Sequence, residues 1–558
     1  MTTPPPTVRT RSVRYHADGG LLLEHLAAQG LVATTADSGD HACPVDTVLL
    51  ESVDIATKVS RTTIAVLEAS ARLTCQGQSV SIQALAQAQA DGEAAVARLR
   101  EHLAAYVTDD ARADCLSLTF PAPTAHEQTE ERERLRATSS IEPLRVLAGV
   151  EVDHPHLPLE AGVVAFDYLA TFETLPAVAP GANTCPDYVF YDARIILVID
   201  HPTREATLVG ASVDPTDLEG RLSALAAAID AVDETTLADE HEQRTTSQTT
   251  VSPVVHAVPT QSDADFAAGV ETMKEAIAAG DVYQVVPSRG FTMPCPDALA
   301  AYHELRGTNP SPYMFYLGTP DFELFGASPE SALLHSAKTG EVSIRPIAGT
   351  RPRGLTADGG IDHERDTRLE LELRTDAKEV AEHVMLVDLA RNDVARVSVP
   401  GTRRVVDLLR VDRYSRVMHL VSEVTGTLDP KLDALDAFRA SMTMGTLTGA
   451  PKLSAAELIR TTEGVRRGSY GGTVGYFRGD GELDTCIVIR SAFVTGGQAL
   501  VQAGAGVVAD SVPAKEAAET VHKASAVLHA VAAAAGARLV IDSQTPAPLT
   551  APTTTEEA

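Results

Sequence analysis

The sequence predicts an α+β fold, in which long helices and short strands mix without the regular alternation of a doubly wound sheet. Three observations support this prediction. Apolar residues recur at helical spacing in several long segments, short apolar runs lie between glycines and prolines, and no segment repeats. The chain has 558 residues, of which 44% are hydrophobic, so it can bury a sizeable core.

The N-terminal region, residues 13–232, is predicted to alternate short strands with helices. Its helix over 91–106 places Val96, Leu99 and Leu103 on one face. The short apolar runs predicted as strands lie at 31–33, 48–50, 80–82 and 195–199.

Polar segments flank and divide the chain. Residues 1–12 are rich in Pro and Thr and are predicted to be disordered, as is most of the tail, 536–558. The charge-dense stretch 121–140 is predicted to be a surface loop or helix. The stretch 233–262 mixes acids with Thr, Ser and Gln and is predicted to be a polar linker or insertion.

The C-terminal region, residues 263–535, begins with a predicted helix. Ser262 can cap it, apolar residues recur from Phe266 at i+4, i+7 and i+11, and Gly280 ends it. A strand at 282–286 opens a series of glycine-punctuated strands, and further helices are predicted at 375–390, 434–442 and 514–535.

Charge and cysteine content exclude several classes of protein. A net charge of −30 argues against a protein that binds nucleic acid or an anionic membrane, because both need a basic surface. Six scattered cysteines without C-x-x-C spacing argue against a disulfide framework or structural zinc and favour the cytoplasm. There is no secretory signal pattern and no membrane-spanning apolar run. An anionic substrate would need local positive charge or a bound cation.

Two predicted helices carry glutamates three residues apart, Glu379 with Glu382 and Glu516 with Glu519. Residues at this spacing share a helix face, and four converging carboxylates suit a hard cation such as Mg²⁺. Solvated helix faces carry the same pattern, so spacing alone leaves both interpretations open.

Other residues allow both a structural and a functional interpretation. Gly504-Ala505-Gly506 follows a strand-like run, where it forms either a bulge or a set of amides open to an anion. Arg490 ends an apolar strand, so it either pairs inside the core or binds a carboxylate. His419 lies between apolar residues, which suits a core or a site histidine. The sequence contains no P-loop or dinucleotide-binding glycine motif.

Nine segments between 309 and 520 form a distinctive series. They are NPSPYMFYLG (309–318), GASPES (326–331), RPIAGTRPRG (345–354), DAKEVAEHVMLVDLARND (376–393), MHLVSEVTG (418–426), GTLTGAPK (445–452), RRGSYGGTVGYF (466–477), CIVIRSAF (486–493) and VQAGAGVVADSVPAKEAAET (501–520). Together they resemble the chorismate-binding enzymes, and most closely the anthranilate synthase component I branch. The N-terminal half matches more thinly, through LLES (49–52) and GVVAFDYLATFE (162–173).

This resemblance implies a large antiparallel β-sandwich with surrounding helices and a lyase reaction. Ammonia adds to ring C2 of chorismate and the C4 hydroxyl leaves, after which pyruvate is eliminated to give anthranilate. This is the first committed step of tryptophan biosynthesis. Mg²⁺ is required, and a separate glutamine amidotransferase subunit supplies ammonia, with two copies of each subunit in a heterotetramer. The chain itself shows no amidotransferase motif.

The resemblance also implies the binding residues. Glu382 and Glu519 would hold Mg²⁺, with Glu516 nearby. The residues implied for chorismate are Gly349 and Thr350 beside the ring, and Tyr470, Arg490, Gly504, Ala505 and Gly506 around the enolpyruvyl carboxylate.

The implied catalytic residues follow from the two steps. Glu379 would protonate the departing hydroxyl, because hydroxide is a poor leaving group. His419 would take the C2 proton during elimination. Thr446, Lys523 and Gln284 would support the site.

Two positions separate this chain from related activities. Enzymes of the family that add water carry a lysine base where this chain has Gln284, and aminodeoxychorismate synthases carry a lysine nucleophile where it has Ala348. Both differences favour anthranilate as the product. Aminodeoxychorismate synthase component I, and a catalytically dead tryptophan-binding regulator, are the alternatives.

The family's feedback inhibitor is tryptophan, bound away from chorismate. The residues that the resemblance implies for this site are Leu50, Glu51, Ser52, Pro312, Tyr313, Met314, Val474 and Tyr476. Glu51 and backbone carbonyls would accept the ammonium group of the inhibitor. Taken alone, LLES is better explained as a strand end whose Ser52 caps a turn. The presence of NPSPYM favours the functional interpretation.

Overall fold

The computed structural model describes residues 5–35, 43–54, 60–109, 112–123, 135–247, 254–356, 360–414 and 417–542. Its strands are β1 (Thr7–Val13), β2 (Thr47–Val53), β3 (Ser60–Gln76), β4 (Ser79–Ala84), β5 (Val107–Asp109), β6 (Cys115–Thr119), β7 (Leu159–Val164), β8 (Tyr188–Asp200), β9 (Glu205–Ser212), β10 (Val254–Pro259), β11 (Gln284–Val285), β12 (Ser288–Pro294), β13 (Tyr313–Gly318), β14 (Glu323–Ser328), β15 (Ser331–Ser336), β16 (Glu341–Ile344), β17 (Ile347–Pro352), β18 (Arg404–Arg413), β19 (Val417–Thr427), β20 (Gly449–Ala450), β21 (Thr473–Arg478), β22 (Leu483–Ile487), β23 (Ser491–Thr495), β24 (Gln498–Gly504) and β25 (Arg538–Ile541).

The α-helices of the same residues are α1 (Gly19–Ala28), α2 (Gln89–His102), α3 (Glu142–Ala148), α4 (Pro215–Ala231), α5 (Glu234–Ser247), α6 (Asp263–Ala279), α7 (Ala298–Thr308), α8 (His363–Thr375), α9 (Ala377–Val397), α10 (Ala434–Ser441), α11 (Lys452–Glu463) and α12 (Pro513–Ala534). Short 3₁₀ turns lie at Ala86–Ala88, Ala104–Tyr106 and Phe166–Thr171. In this part of the chain no helix has the length and apolar composition that a membrane span requires.

The long paired strands β3 and β8 join two sheet layers. One half of this pair lies in the first layer. Beyond β3 the strand order is β2, β13, β14, β23, β24, β12 and β10, and beyond β8 it is β9 and β1. The other half lies in the second layer. Beyond β3 the strand order is β4, β6 and β5, and beyond β8 it is β7, β21, β22, β15, β16 and β19. All of these pairings are antiparallel, whereas β10 and β25 pair in parallel.

Apolar clusters fill three spaces between layers. One cluster lies between the two sheet layers. A second packs helices α1, α4, α7 and α12 on the outside of the first layer, and a third packs α2, α3, α9 and α10 on the outside of the second. Side chains of a strand alternate between faces, so each sheet can be covered on both sides. The predicted antiparallel sandwich with surrounding helices is confirmed.

The helix predictions agree well with the structure. The helix predicted at 91–106 is α2 followed by a short 3₁₀ turn, and those at 434–442 and 514–535 are α10 and α12. The predicted Ser262 cap accepts from Asp265 N at 3.1 Å, and Gly280 ends α6 with a left-handed φ of 87°. The helix predicted at 375–390 is α9, which runs further, to Val397.

Some strand and disorder predictions were wrong. Residues 31–33 form a bend rather than a strand. Residues 7–12, predicted as disordered, belong to β1, because β9 supplies a partner that composition cannot reveal. Strand β25 likewise orders part of the predicted tail, and only two residues of 282–286 form a strand, β11. Residues 124–134 and 543–558 lie outside the described residues.

The stretch 233–262 contains α5 and β10, so most of it is part of the fold rather than a linker. The N-terminal and C-terminal regions also share their sheets. Strand β2 pairs with β13, and β7 pairs with β21. The predicted regional boundaries therefore do not separate two independent sheets.

Candidate active site

The pairing of β17 with β19 brings Thr350 beside His419, two predicted site residues. The register shifts between Ala348 and Thr350, which is a bulge at Gly349. Gly349 has a φ of 82°, and a Cβ atom there would lie 3.2 Å from Glu379 Oε2, so glycine is required. As a result, Thr350 Oγ1 lies 2.9 Å from His419 Nδ1.

His419 is poised to act in its neutral form. Desolvation, with the positive charge of Arg490 as a smaller cause, lowers the pKa of His419 to about 4. The ring of Tyr414 packs edge-on against the imidazole, with the ring centroids 5.0 Å apart. At neutral pH the uncharged ring can accept a proton.

Arg490 lies just before β23 in a left-handed conformation, with φ 51°, which is uncommon for a side-chain-bearing residue. Its guanidinium is enclosed by protein, yet no hydrogen bond or ion pair joins it to another described residue. Burial raises the pKa of nearby Tyr470 to about 12, so its hydroxyl keeps its proton. An enclosed cation and an O–H donor without fixed acceptors suit an anionic ligand.

The glycine segment after β24 lies against Gln284 on β11. A Cβ atom on Gly506 would approach Gln284 Nε2 to 2.8 Å, and one on Gly504 would approach Pro287 O to 2.7 Å. The Ala505 amide donates to Pro287 O at 3.1 Å. The expectation that the Ala505 amide is free to hold a ligand carboxylate is therefore wrong. The glycines provide space instead.

Three buried polar atoms near these groups make no hydrogen bond with any described residue. They are Gln284 Oε1, Thr446 Oγ1 and Glu382 Oε1. The large majority of buried side-chain polar atoms in folded proteins are paired, with protein or with water. Unpaired buried polar atoms at these predicted site residues are suited to a polar ligand.

Glu330, in the turn between β14 and β15, is a site residue that sequence patterns did not select. Burial raises its pKa to about 8, although the charges of Arg490 and Lys523 oppose this rise. The carboxyl therefore keeps its proton at neutral pH and can donate it. A single glutamate in a turn has no distinguishing spacing, and its only sequence signal is its place in GASPES.

Glu379, predicted to be the proton donor, lies in the first turn of α9. Its backbone amide donates to Asp376 at 3.2 Å, and its Oε1 accepts from Arg351 Nη1 at 2.9 Å. Arg351 also pairs with Asp376 at 2.6 Å. Arg351 holds Oε1 of Glu379, whereas Oε2 lies beside Gly349, so Glu379 stays a candidate proton donor together with Glu330.

The other predicted carboxylates face one another from α9 and α12, each beside a lysine. Lys378 Nζ lies 3.5 Å from Glu382 Oε1, and Lys523 Nζ lies 2.6 Å from Glu519 Oε1. Burial raises the pKa values of Glu382 and Glu516, and the neighbouring carboxylates add to the rise. Three crowded carboxylates, whose charge two lysines balance only in part, fit a hard divalent cation.

The residues predicted to bind tryptophan divide between two faces of one sheet. In the register of β2 with β13, Ser52 lies opposite Tyr313 and Glu51 lies opposite Met314. Leu50 and Tyr313 pack into the cluster between the sheet layers, whereas Met314 packs against the helices outside. Because strand residues alternate, Glu51 points to the helix side and Ser52 to the interior.

Glu51 is already occupied. Its Oε2 accepts from Arg306 Nε at 2.9 Å and from the Tyr302 hydroxyl, and its Oε1 accepts from Thr63 Oγ1 at 3.2 Å. The expectation that the Glu51 carboxylate accepts a ligand ammonium is therefore wrong.

Asp484 is the carboxylate that lies on the interior side. It is directly opposite Tyr476 in the β21–β22 pair and faces the Tyr313 hydroxyl. Burial raises its pKa to about 6, and its Oδ1 has no hydrogen-bond partner among the described residues. Val474 belongs to the same interior cluster, and Pro312 immediately precedes β13. This apolar, partly aromatic cluster with an acidic acceptor offers the contacts that an amino acid with a large side chain needs.

Comparisons with known proteins show the family of the chain. A family described as chorismate binding enzyme matches residues 85–529. The chain is 48% identical to anthranilate synthase component 1 of Vibrio parahaemolyticus over 88% of each chain. It is also 48% identical to anthranilate synthase component 1 of Escherichia coli, over 88% of this chain and 92% of that one. Anthranilate synthase component I of Streptococcus pneumoniae has a similar fold, with a TM-score of 0.59 and 24% identity, covering 92% of this chain and 98% of that one.

Proposed function

Because the chain belongs to the chorismate-binding enzyme family, we propose that its candidate active site converts chorismate and ammonia to anthranilate and pyruvate. The observation that supports this most directly is the enclosed Arg490 guanidinium without a fixed partner, close to a carboxyl that keeps its proton and a neutral histidine. A dicarboxylate substrate supplies the missing anion. The reaction needs one acid and one base, and the site has both.

Chorismate binding rests on charge and shape. Arg490 and Tyr470 donate to the enolpyruvyl carboxylate, and the Gly506 amide, which donates to no other described residue, is a third donor. Gly349 and Thr350 lie beside the ring. Bound between Glu382 and Glu519, Mg²⁺ would neutralise the ring carboxylate and make the ring more electrophilic.

In the first step, the ammonia nitrogen bonds to C2, both ring double bonds shift along the ring toward C4, and the C4–O bond breaks. Glu330 donates its proton to the departing oxygen, so that water leaves rather than hydroxide. The ammonium group formed at C2 then releases one proton to solvent, and Glu330 takes a proton from solvent before the next turnover. Glu379 remains the alternative donor.

In the second step, neutral His419 takes the C2 proton, the C3–O bond breaks, and the ring becomes aromatic as pyruvate leaves. Thr350 Oγ1 holds the imidazole through Nδ1, which leaves Nε2 for the substrate. The low pKa of His419 makes it a weak base, and formation of the aromatic ring provides the driving force.

The identity of the nucleophile separates this proposal from the runner-up, aminodeoxychorismate synthase component I. Gln284 cannot activate water as a lysine does, and Ala348 offers no amine to attack C2. Incubation of the purified chain with chorismate, Mg²⁺ and ammonium, followed by chromatography, identifies the product. Anthranilate supports the proposal, 4-aminodeoxychorismate supports the runner-up, and no turnover supports a tryptophan-binding regulator.

The name component 1 of the relatives implies a second component that supplies ammonia. We propose that this glutamine amidotransferase docks around Tyr283, whose side chain is 71% exposed one residue before Gln284. An exposed aromatic group beside the site is suited to a protein contact at the ammonia entrance. Tyr283→Asp should then lower glutamine-dependent turnover by the two-subunit complex and leave ammonium-dependent turnover unchanged. An equal loss with both nitrogen sources would contradict this docking surface.

We further propose that tryptophan inhibits the enzyme from the interior space between the sheets. Asp484 accepts its ammonium group, and Tyr313, Val474 and Tyr476 surround its indole. Inhibition requires that tryptophan favour a state in which the chorismate site is less competent. Strand β21, which carries Tyr476, directly follows the segment that carries Tyr470, so a shift of this strand affects both sites.

A further inference from the structure

Three helices remote from the candidate active site bring together two histidines and a glutamate. Glu24 lies on α1, His241 on α5 and His303 on α7, and the ligand atoms of all three lie within 4.8 Å of one another. His241 Nδ1 is 3.0 Å and His303 Nε2 is 3.3 Å from the same oxygen, Glu24 Oε2. Glu24 is buried, and the two histidines are largely enclosed.

The contact between His303 and Glu24 is close without being a hydrogen bond. Nε2 of His303 is buried and, despite the 3.3 Å separation, makes no hydrogen bond with any described residue. Two ligands of one ion show this relation, because each aims at the ion rather than at the other. His241 Nδ1 forms a hydrogen bond with Glu24 Oε2 at 3.0 Å, which a bound ion would replace. In a tetrahedral zinc site with metal–ligand distances of about 2.0–2.2 Å, neighbouring ligand atoms lie roughly 3.3 Å apart.

We propose that Glu24, His241 and His303 bind one transition-metal dication, most suitably Zn²⁺, and leave a fourth position for water. Two imidazoles and one carboxylate are donors that zinc accepts readily, whereas Mg²⁺ prefers oxygen ligands alone. The site is therefore chemically distinct from the carboxylates of α9 and α12.

The two imidazole rings support a metal over simple ion pairing. Their centroids are 4.7 Å apart in an edge-on arrangement. Two protonated histidines at this distance would repel each other, whereas two neutral ones can share a cation. By contrast, the adjacent His25 and Glu240 form an ordinary two-member pair at 2.7 Å.

Bound zinc would fasten α5 to the body of the protein. The sequence of α5 is mostly polar, and Leu237 is its one buried apolar residue among those with described side chains. Helix α7 also carries Arg306, which pairs with Glu51 of β2. Zinc would thus stabilise the packing of α1, α5 and α7 next to the sheet that carries the proposed tryptophan site.

Metal binding by the full chain tests this proposal. The chain is stripped with a chelator and titrated with Co²⁺ and with Zn²⁺ in excess Mg²⁺, so that Mg²⁺ competes at the carboxylate site. We expect one equivalent of Co²⁺ with the strong visible absorption of tetrahedral coordination, displaced by Zn²⁺. His241→Gln and His303→Gln should bind at least tenfold more weakly and lose this absorption, and His25→Gln should behave like the parent.

Thermal unfolding gives a second readout that does not depend on activity. Zn²⁺ should raise the unfolding temperature of the parent and of His25→Gln but not that of His241→Gln. His241 is the less buried histidine, so its variant tests the site even if His303→Gln folds poorly. Absence of stoichiometric binding by the parent, or binding unchanged by the His241 substitution, overturns the proposal.

Discussion

Replacement of Glu330 by glutamine removes the proposed acid while preserving the shape of the side chain. The pKa rise from the ordinary value of 4.5 to about 8 corresponds to roughly 5 kcal/mol in favour of the protonated form. At pH 7 about nine-tenths of the molecules therefore carry the proton. General acid catalysis contributes a factor of about 10²–10⁴, so we expect Glu330→Gln to lower kcat by that range.

The pH profile distinguishes this role from a structural one. The donor is present below the pKa of about 8 and lost above it, so kcat/KM of the parent, corrected for free ammonia, should fall as pH rises past about 8. Anthranilate fluorescence measures the rate. Glu330→Gln should lose this alkaline limb, and Glu379→Gln should keep it. The reasoning is refuted if Glu330→Gln works within tenfold of the parent or if only Glu379→Gln flattens the profile.

Stability provides an independent check on the same carboxyl. Folding raises the pKa of Glu330, so this carboxyl stabilises the folded protein fully below pH 4.5. That stabilisation is lost as pH rises through about 8. The free energy of unfolding of the parent should therefore fall over this window more steeply than that of Glu330→Gln. Denaturant titrations at pH 6 and pH 9 measure the difference.

His419→Ala should impair pyruvate elimination more than amination, so chromatography should detect an aminated intermediate that still carries the enolpyruvyl group; anthranilate formed at the parent rate would refute the base assignment. Glu519→Ala should abolish Mg²⁺-dependent turnover while circular dichroism stays unchanged, and activity restored merely by more ammonium would contradict a metal ligand. Ser52→Arg, which places a bulky cation on the interior face of β2, should weaken tryptophan inhibition with little change in uninhibited turnover; unchanged sensitivity would place the inhibitor elsewhere. Gly349→Ala should destabilise the fold by about 1–2 kcal/mol in denaturant titration, because φ is 82° there, and an unaltered midpoint would show that the bulge relaxes.

Periodicity and capping made the helices predictable from the sequence. Apolar residues at helical spacing after Ser262 identified α6, and the glutamate pairs identified the faces of α9 and α12. These features are local, because a helix satisfies its backbone within its own segment. The motifs of the family predicted most of the candidate site residues for the same reason, since each motif is contiguous. A strand cannot satisfy its backbone hydrogen bonds within its own segment. Strand β1 was therefore not predicted, because its partner β9 lies far away in the sequence.

The tertiary structure decided which side chains meet. Only the β17–β19 register shows that Thr350 touches His419, and only burial, against the opposing charge of Arg490, raises the pKa of Glu330 to about 8. The β2–β13 register directs Glu51 away from the interior between the sheets, where Asp484 supplies an acidic group. Such contacts join residues hundreds of positions apart, and desolvation depends on every layer around a group. The sequence by itself determined the fold class, the reaction class and the residue types of the site, because these are written in local patterns. The contacts of each side chain, its pKa and the face of the sheet on which it lies are set only when distant strands pair. That pairing fixes the distances and the local dielectric on which these properties depend.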